Sequence, residues 1–204
     1  MSMPALSPRR FVRQAILFEG SLALIAVALG WFLPTPPWRQ IHWTWTAAAW
    51  GIAASVPLLA AMFALRRLRA GPFGRLNRVV DQVIVPLFAG CSLADFALIS
   101  LVGGLGEELL FRGLIQAVLV SWFGVAVGIG LASLLFGLAH IITPTYALLA
   151  TIIGVYFGGL ALYTNDLLAP IVTHAVYDFA ALGYLTRRVP CQGERESTMH
   201  DRDA

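Results

Sequence analysis

Lysine is absent from the 204-residue chain: all 14 basic residues are arginines. Charge of either sign is scarce, with Asp, Glu, Lys and Arg making up 12% of the residues, about half of the roughly 25% usual in soluble domains. With 58% hydrophobic residues and a mean hydropathy of +0.76, the chain lacks the polar residues to cover a water-facing surface. An ordinary soluble domain is therefore excluded. Cysteine is nearly missing too. Cys91 and Cys191 have no metal-type spacing and read as unpaired thiols. The pI near 9.2 would suit nucleic acid, but the arginines fall where membrane topology places them, so no nucleic-acid role follows. Arginine without lysine fits a GC-rich, bacterial genome. No internal repeat is visible.

What the chain has in quantity is apolar runs near the roughly 20 residues that cross a bilayer. The first, residues 14–33, follows Arg9, Arg10 and Arg13 and continues without a polar break, so it reads as a retained span and not a cleaved signal. It ends at Pro34, Pro36 and Pro37, and Trp31, Trp38, Trp43 and Trp45 surround the next loop as an interfacial belt. A second span covers 46–65. The stretch 66–78 then carries five arginines in 13 residues, which places it and the N-terminus in the cytoplasm. Residues 79–88 lie along the interface or form a span of their own. Later spans are one long tilted helix over 92–121, then 124–140, 146–163 and 167–185. The expected fold is an all-α polytopic transmembrane bundle of about six spans, or seven to eight if 79–88 also crosses. Three regions follow: 1–91, two spans with a basic loop and an interfacial segment; 92–187, a core; and 188–204, a disordered polar tail. Gly103, Gly104, Gly106, Gly128, Gly130, Gly154 and Gly158 are expected at close helix contacts.

Ionisable groups at membrane depth cost at least ~2.5 kcal/mol for Arg or Asp on the insertion scale, so each is a functional candidate. Glu108 and Arg112 are i, i+4 and can pair on one helix face. Glu107 is rotated by about 100° from Glu108 and is free to face something else. Phe136 and His140 share a face, as do His174 and Asp178. Three helices thus bring polar groups to one internal cavity. Bland readings stand beside these: a structural ion pair for Glu108 and Arg112, a buried hydrogen-bonded acid for Glu107, a helix cap for His140, and interhelical glue for His174 with Asp178. Glu19 and Asp95 have no partner pattern and read as structural or rim residues. Phe136 reads as packing that fixes the neighbouring imidazole.

Taken in order, GEELLFRG, FGLAH and HAVYD match the patterns EExxxR, FxxxH and HxxxN/D. Over residues 92–185 the chain resembles the CPBP family of intramembrane proteases, which comprises type II CAAX prenyl proteases and bacteriocin-processing proteins and is also called Abi. The resemblance implies a helical intramembrane endopeptidase. Glu107 would activate water, Glu108 and Arg112 would support it, and His140 and His174 would complete the site with Asp178. Many members have asparagine at the last position. An asparagine amide can donate to an oxyanion, whereas an ionised aspartate can only accept, so Asp178 would orient His174 or bind a metal. Two chemistries stay open. In one, Glu107 and the histidines work without metal. In the other, His140, His174 and Asp178 hold zinc, although no HExxH is present.

The expected activity is peptide-bond hydrolysis in a membrane-associated protein or peptide, by a protein of the bacterial inner membrane with a cytoplasmic N-terminus. Two other classes compete: a catalytically silent immunity or membrane binding protein of the same fold, and an ion transporter. A binder has no use for paired acids in lipid, and the missing repeat argues against a transporter. The first two spans read as a plain anchor.

Overall fold

The computed structural model describes residues 8–187; the polar tail expected over 188–204, and Cys191 within it, lie outside the described residues. The described chain is helical, with α1 (Pro8–Gly30), α2 (Trp45–Arg66), α3 (Gly71–Val79), α4 (Val85–Leu87), α5 (Leu93–Glu108), α6 (Ala117–Phe123), α7 (Val125–Ala139), α8 (Pro144–Thr164) and α9 (Leu168–Thr186). Local chemistry sets several of these boundaries. Thr44 and Thr143 each accept a backbone N–H through the side chain and open α2 and α8. Ser92 and Asp95 form a reciprocal capping box at the start of α5, which gives Asp95 the structural role expected of it. Gly124 turns α6 into α7 at φ +79°, and Asn165 ends α8 in the left-handed region.

Four helices, α1, α2, α8 and α9, are long and apolar enough to cross a membrane, and α7 is a shorter apolar helix. The stretch 93–123 is continuous, running from α5 through a π-helical turn (Leu109–Gln116) into α6. It is the long helix the sequence leads one to expect; the π turn is not. These make six columns. The segment 79–88 adds no column: it continues α3 through a π turn (Val80–Ile84) into α4. Asn77 ties this segment to the end of α2, donating from Nδ2 to the carbonyls of Leu65 and Leu68, while Arg66 pairs with Asp81 at 2.6 Å.

The surface is apolar where a soluble protein would be polar. Leu24, Phe32 and Ile52 are exposed, and Trp31, Trp43 and Trp45 ring one end. The polar groups point inward, as lipid requires. Of the four long helices α9 is the most enclosed, with 44% of its apolar window buried against 11% for α1. It packs between α2 and α5, while α7 packs on α8 and α6, and α1 lies on α5. Of the glycines expected at contacts, Gly104 admits the α9 backbone, and Gly106 admits the α1 backbone at Glu19. Gly130 faces open space and makes no such contact.

The connection between α1 and α2 folds back against the bundle as a 3-10 turn (Pro37–Gln40). Gln40 donates from Nε2 to Gly113 O and accepts from Leu167 N, and His42 N donates to Asp166 Oδ1. This plug closes the tryptophan end of the bundle. The columns alternate in direction, so residues 8 and 187 lie at the other end, with the 66–78 arginines.

Candidate active site

The second half of the 93–123 helix supplies the centre. Glu108 is fully buried and Glu107 and Arg112 nearly so. Arg112 Nη1 donates to Glu108 Oε1 at 2.9 Å, and Nη2 donates to Gly154 O on α8 at 3.3 Å. Its guanidinium lies 4.3 Å from the Phe136 ring centroid and 5.1 Å from that of Phe157, so aromatic faces take up the charge that the carboxylate does not. The Gly154 and Gly158 spacing on α8 has a use beyond helix packing. A Cβ on Gly154 would lie 3.0 Å from Ser133 on α7, and one on Gly158 would meet Gln116 Oε1 at 2.5 Å. Gln116, from the same π turn as Arg112, donates to Gly158 O.

His174 reaches in from α9. Its Nδ1 lies 2.9 Å from Glu108 Oε1, the oxygen that also accepts from Arg112. Because that group is a carboxylate, Nδ1 carries the hydrogen. The ring stacks on Phe157, with centroids 5.1 Å apart. His140, at the end of α7, is held the same way by a different acceptor: Nδ1 lies 2.8 Å from Phe136 O. A carbonyl can only accept, so this Nδ1 also carries the hydrogen. Phe136 therefore fixes His140 as expected, through its carbonyl as well as through ring contact at 4.4 Å.

Both imidazoles then present Nε2 to Glu107. His140 Nε2 is 3.5 Å from Glu107 Oε1, and His174 Nε2 is 3.9 Å from Glu107 Oε2. Asp178 Oδ2 lies 3.4 Å from His174 Nε2. Glu107 Oε2 and Glu108 Oε2 are buried with no hydrogen-bond partner among the described residues. The cluster opens on the side of Asp178 and His140, both part-exposed.

All six residues singled out from the sequence thus meet in one cluster. Phe157, against His174 and Arg112, carries no mark in the sequence beyond its place in an apolar helix. Glu19 and Tyr146 were not expected near the cluster either. Glu19 lies against Gly103, one turn from Glu107, and the Tyr146 ring is 6.4 Å from that of His140. Among the described residues no group of three or more His, Cys, Asp or Glu is arranged to hold a metal ion. His140 Nε2 faces Glu107, and His174 Nε2 sits between Glu107 and Asp178.

A helical bundle with apolar outer faces thus carries a glutamate and two histidines turned on one buried point. Residues 89–180 match the family model described as type II CAAX prenyl endopeptidase Rce1-like, and over this segment the chain is similar to CAAX-type intramembrane endopeptidases. Curated proteins and solved structures give no match.

Proposed function

We propose that the protein hydrolyses a peptide bond in a membrane-associated protein or peptide, with Glu107 activating the water. The observation that carries this reading is the convergence of two Nε2 atoms on one buried carboxylate, Glu107, whose Oε2 has no hydrogen-bond partner among the described residues. Glu107 takes a proton from water as the water oxygen attacks the peptide carbon. His174 is held through Nδ1 by Glu108 and steadied by Asp178, and its Nε2–H is placed to donate to the carbonyl oxygen as that oxygen turns negative. His140 has its Nδ1 proton committed to Phe136 and uses Nε2 to pass the proton from Glu107 to the leaving amine. Glu108 and Arg112 position His174 and do not touch the substrate. These steps run on the chain's own residues. The arginine-bearing end faces the cytoplasm by the positive-inside rule, and the membrane is the bacterial cell membrane.

The test uses the full chain in lipid nanodiscs and a panel of bilayer-anchored fluorogenic peptides, with and without a prenylated C-terminal cysteine. Wild type cleaves at least one, and Glu107→Gln lowers its kcat by about 10²–10⁴-fold with an unchanged melting curve. Retained cleavage in Glu107→Gln sinks the assignment. Elemental mass spectrometry of the same preparation, beside His140→Ala/His174→Ala, finds no stoichiometric zinc. One zinc per chain, lost in the double variant, would replace the metal-free steps.

A further inference from the structure

The acid that the mechanism leaves unused is Glu19, on α1 and outside the segment that matches the family. Gly106 lets the α1 backbone at Glu19 pack directly on α5, and a methyl placed on Gly103 would lie 3.8 Å from Glu19 Cγ and 3.9 Å from its Cδ. Gly103 is one turn before Glu107 on the same helix, so the Glu19 carboxyl sits beside the catalytic cleft, towards the open end. Its Oε2 is buried with no hydrogen-bond partner among the described residues. The charged groups of the cluster that bear most on it are Glu107, His174, Asp178 and His140. An orphaned acid at membrane depth is costly, and one kept at the edge of a cleft has a partner that arrives with the ligand.

A peptide cleaved inside a bilayer must be unwound around the scissile bond. That leaves backbone N–H groups without acceptors where water is scarce. We propose that Glu19 is a substrate-binding residue: its carboxyl accepts a hydrogen bond from a backbone N–H of the unwound stretch. This rests on the hydrolase reading, and gives the first span a part in the site beyond anchoring.

The experiment compares wild type, Glu19→Met and Glu19→Gln in nanodiscs, using the panel peptide that wild type binds most tightly. Glu19→Met exchanges an orphaned acid for an apolar chain of similar length, so its melting temperature holds or rises. KM rises about tenfold, the worth of one charged hydrogen bond, and kcat stays within about twofold of wild type. Glu19→Gln keeps a carbonyl acceptor and recovers most of the KM. In the uncleaving Glu107→Gln background, adding Glu19→Met weakens Kd by about the same factor. Unchanged KM and Kd, a loss confined to kcat, or a lower melting temperature in Glu19→Met each overturns the proposal. If Glu107→Gln still cleaves, the hydrolase mechanism falls, while the melting temperatures and the KM comparison at intact Glu107 still decide the role of Glu19. Absence of any peptide binding overturns both.

Discussion

With no exposed surface, Glu108 holds Arg112 and His174 through a single oxygen, at 2.9 Å each. Helical spacing makes the first of these bonds legible, because i, i+4 residues share a face. The second joins residues 66 apart and has no local signal. From the sequence, His174 belongs with Asp178 one turn away; in the fold its closest acidic partner is Glu108, and Asp178 comes second at 3.4 Å. Glu19 was missed for the same reason, since only the packing of α1 on α5 brings it near Glu107. Removing one member of a buried pair leaves an uncompensated charge. Arg112→Met is expected to cost about 3–5 kcal/mol of stability, read as a fall in unfolding midpoint in detergent. The double variant Glu108→Gln/Arg112→Met is expected to regain most of that stability but not the activity, because His174 loses the anion that fixes its Nδ1. Full activity in the double variant would show that the pair serves only to hold the helix.

At the scale of elements, hydropathy and proline breaks carry the helices, whereas the contacts between them depend on which glycines face inward. Gly104 and Gly130 look alike in sequence. A Cβ on Gly104 would lie 3.1 Å from Ala175 N and Ile171 O on the backbone of α9, while one on Gly130 would meet nothing within 4 Å. Lipid and helix neighbours are equally apolar, so hydropathy cannot separate the two faces. The π turn is hidden for a related reason: no residue in LLFRGLIQ breaks an α-helix, and the wider turn is sustained by Arg112 and Gln116 bonding to α8. Gly104→Leu is expected to force α9 away from α5, carrying His174 from Glu107, and to abolish cleavage with a lowered melting temperature. Gly130→Ala is expected to leave cleavage unchanged and to stabilise by up to about 1 kcal/mol from helix propensity. Equal effects of the two substitutions would contradict the packing of α5 on α9.

For the whole molecule, the decisive feature is that its two ends differ. At one end the tryptophans and the 3-10 plug seal the bundle; at the other lie the arginines of 66–78, the ends of α1 and α9, and the side on which the cleft opens. Six alternating columns bring both limits of the described chain to the arginine end, and arginine accumulates on the cytoplasmic face. Under the proposed function, the substrate is expected to enter from the cytoplasm or from the inner leaflet. Native Cys91 is a poor reporter of this, because burial, with the Asp95 carboxylate adding to it, pushes its thiol above the ordinary value. Single cysteines placed at exposed Arg69 and Trp43, in a chain with Cys91 and Cys191 changed to serine, report each end separately. With a membrane-impermeant maleimide, Arg69→Cys is expected to label in inverted membrane vesicles and not in intact spheroplasts, and Trp43→Cys the reverse. The opposite pattern would put the cleft on the outer face and require a substrate that has already crossed the membrane.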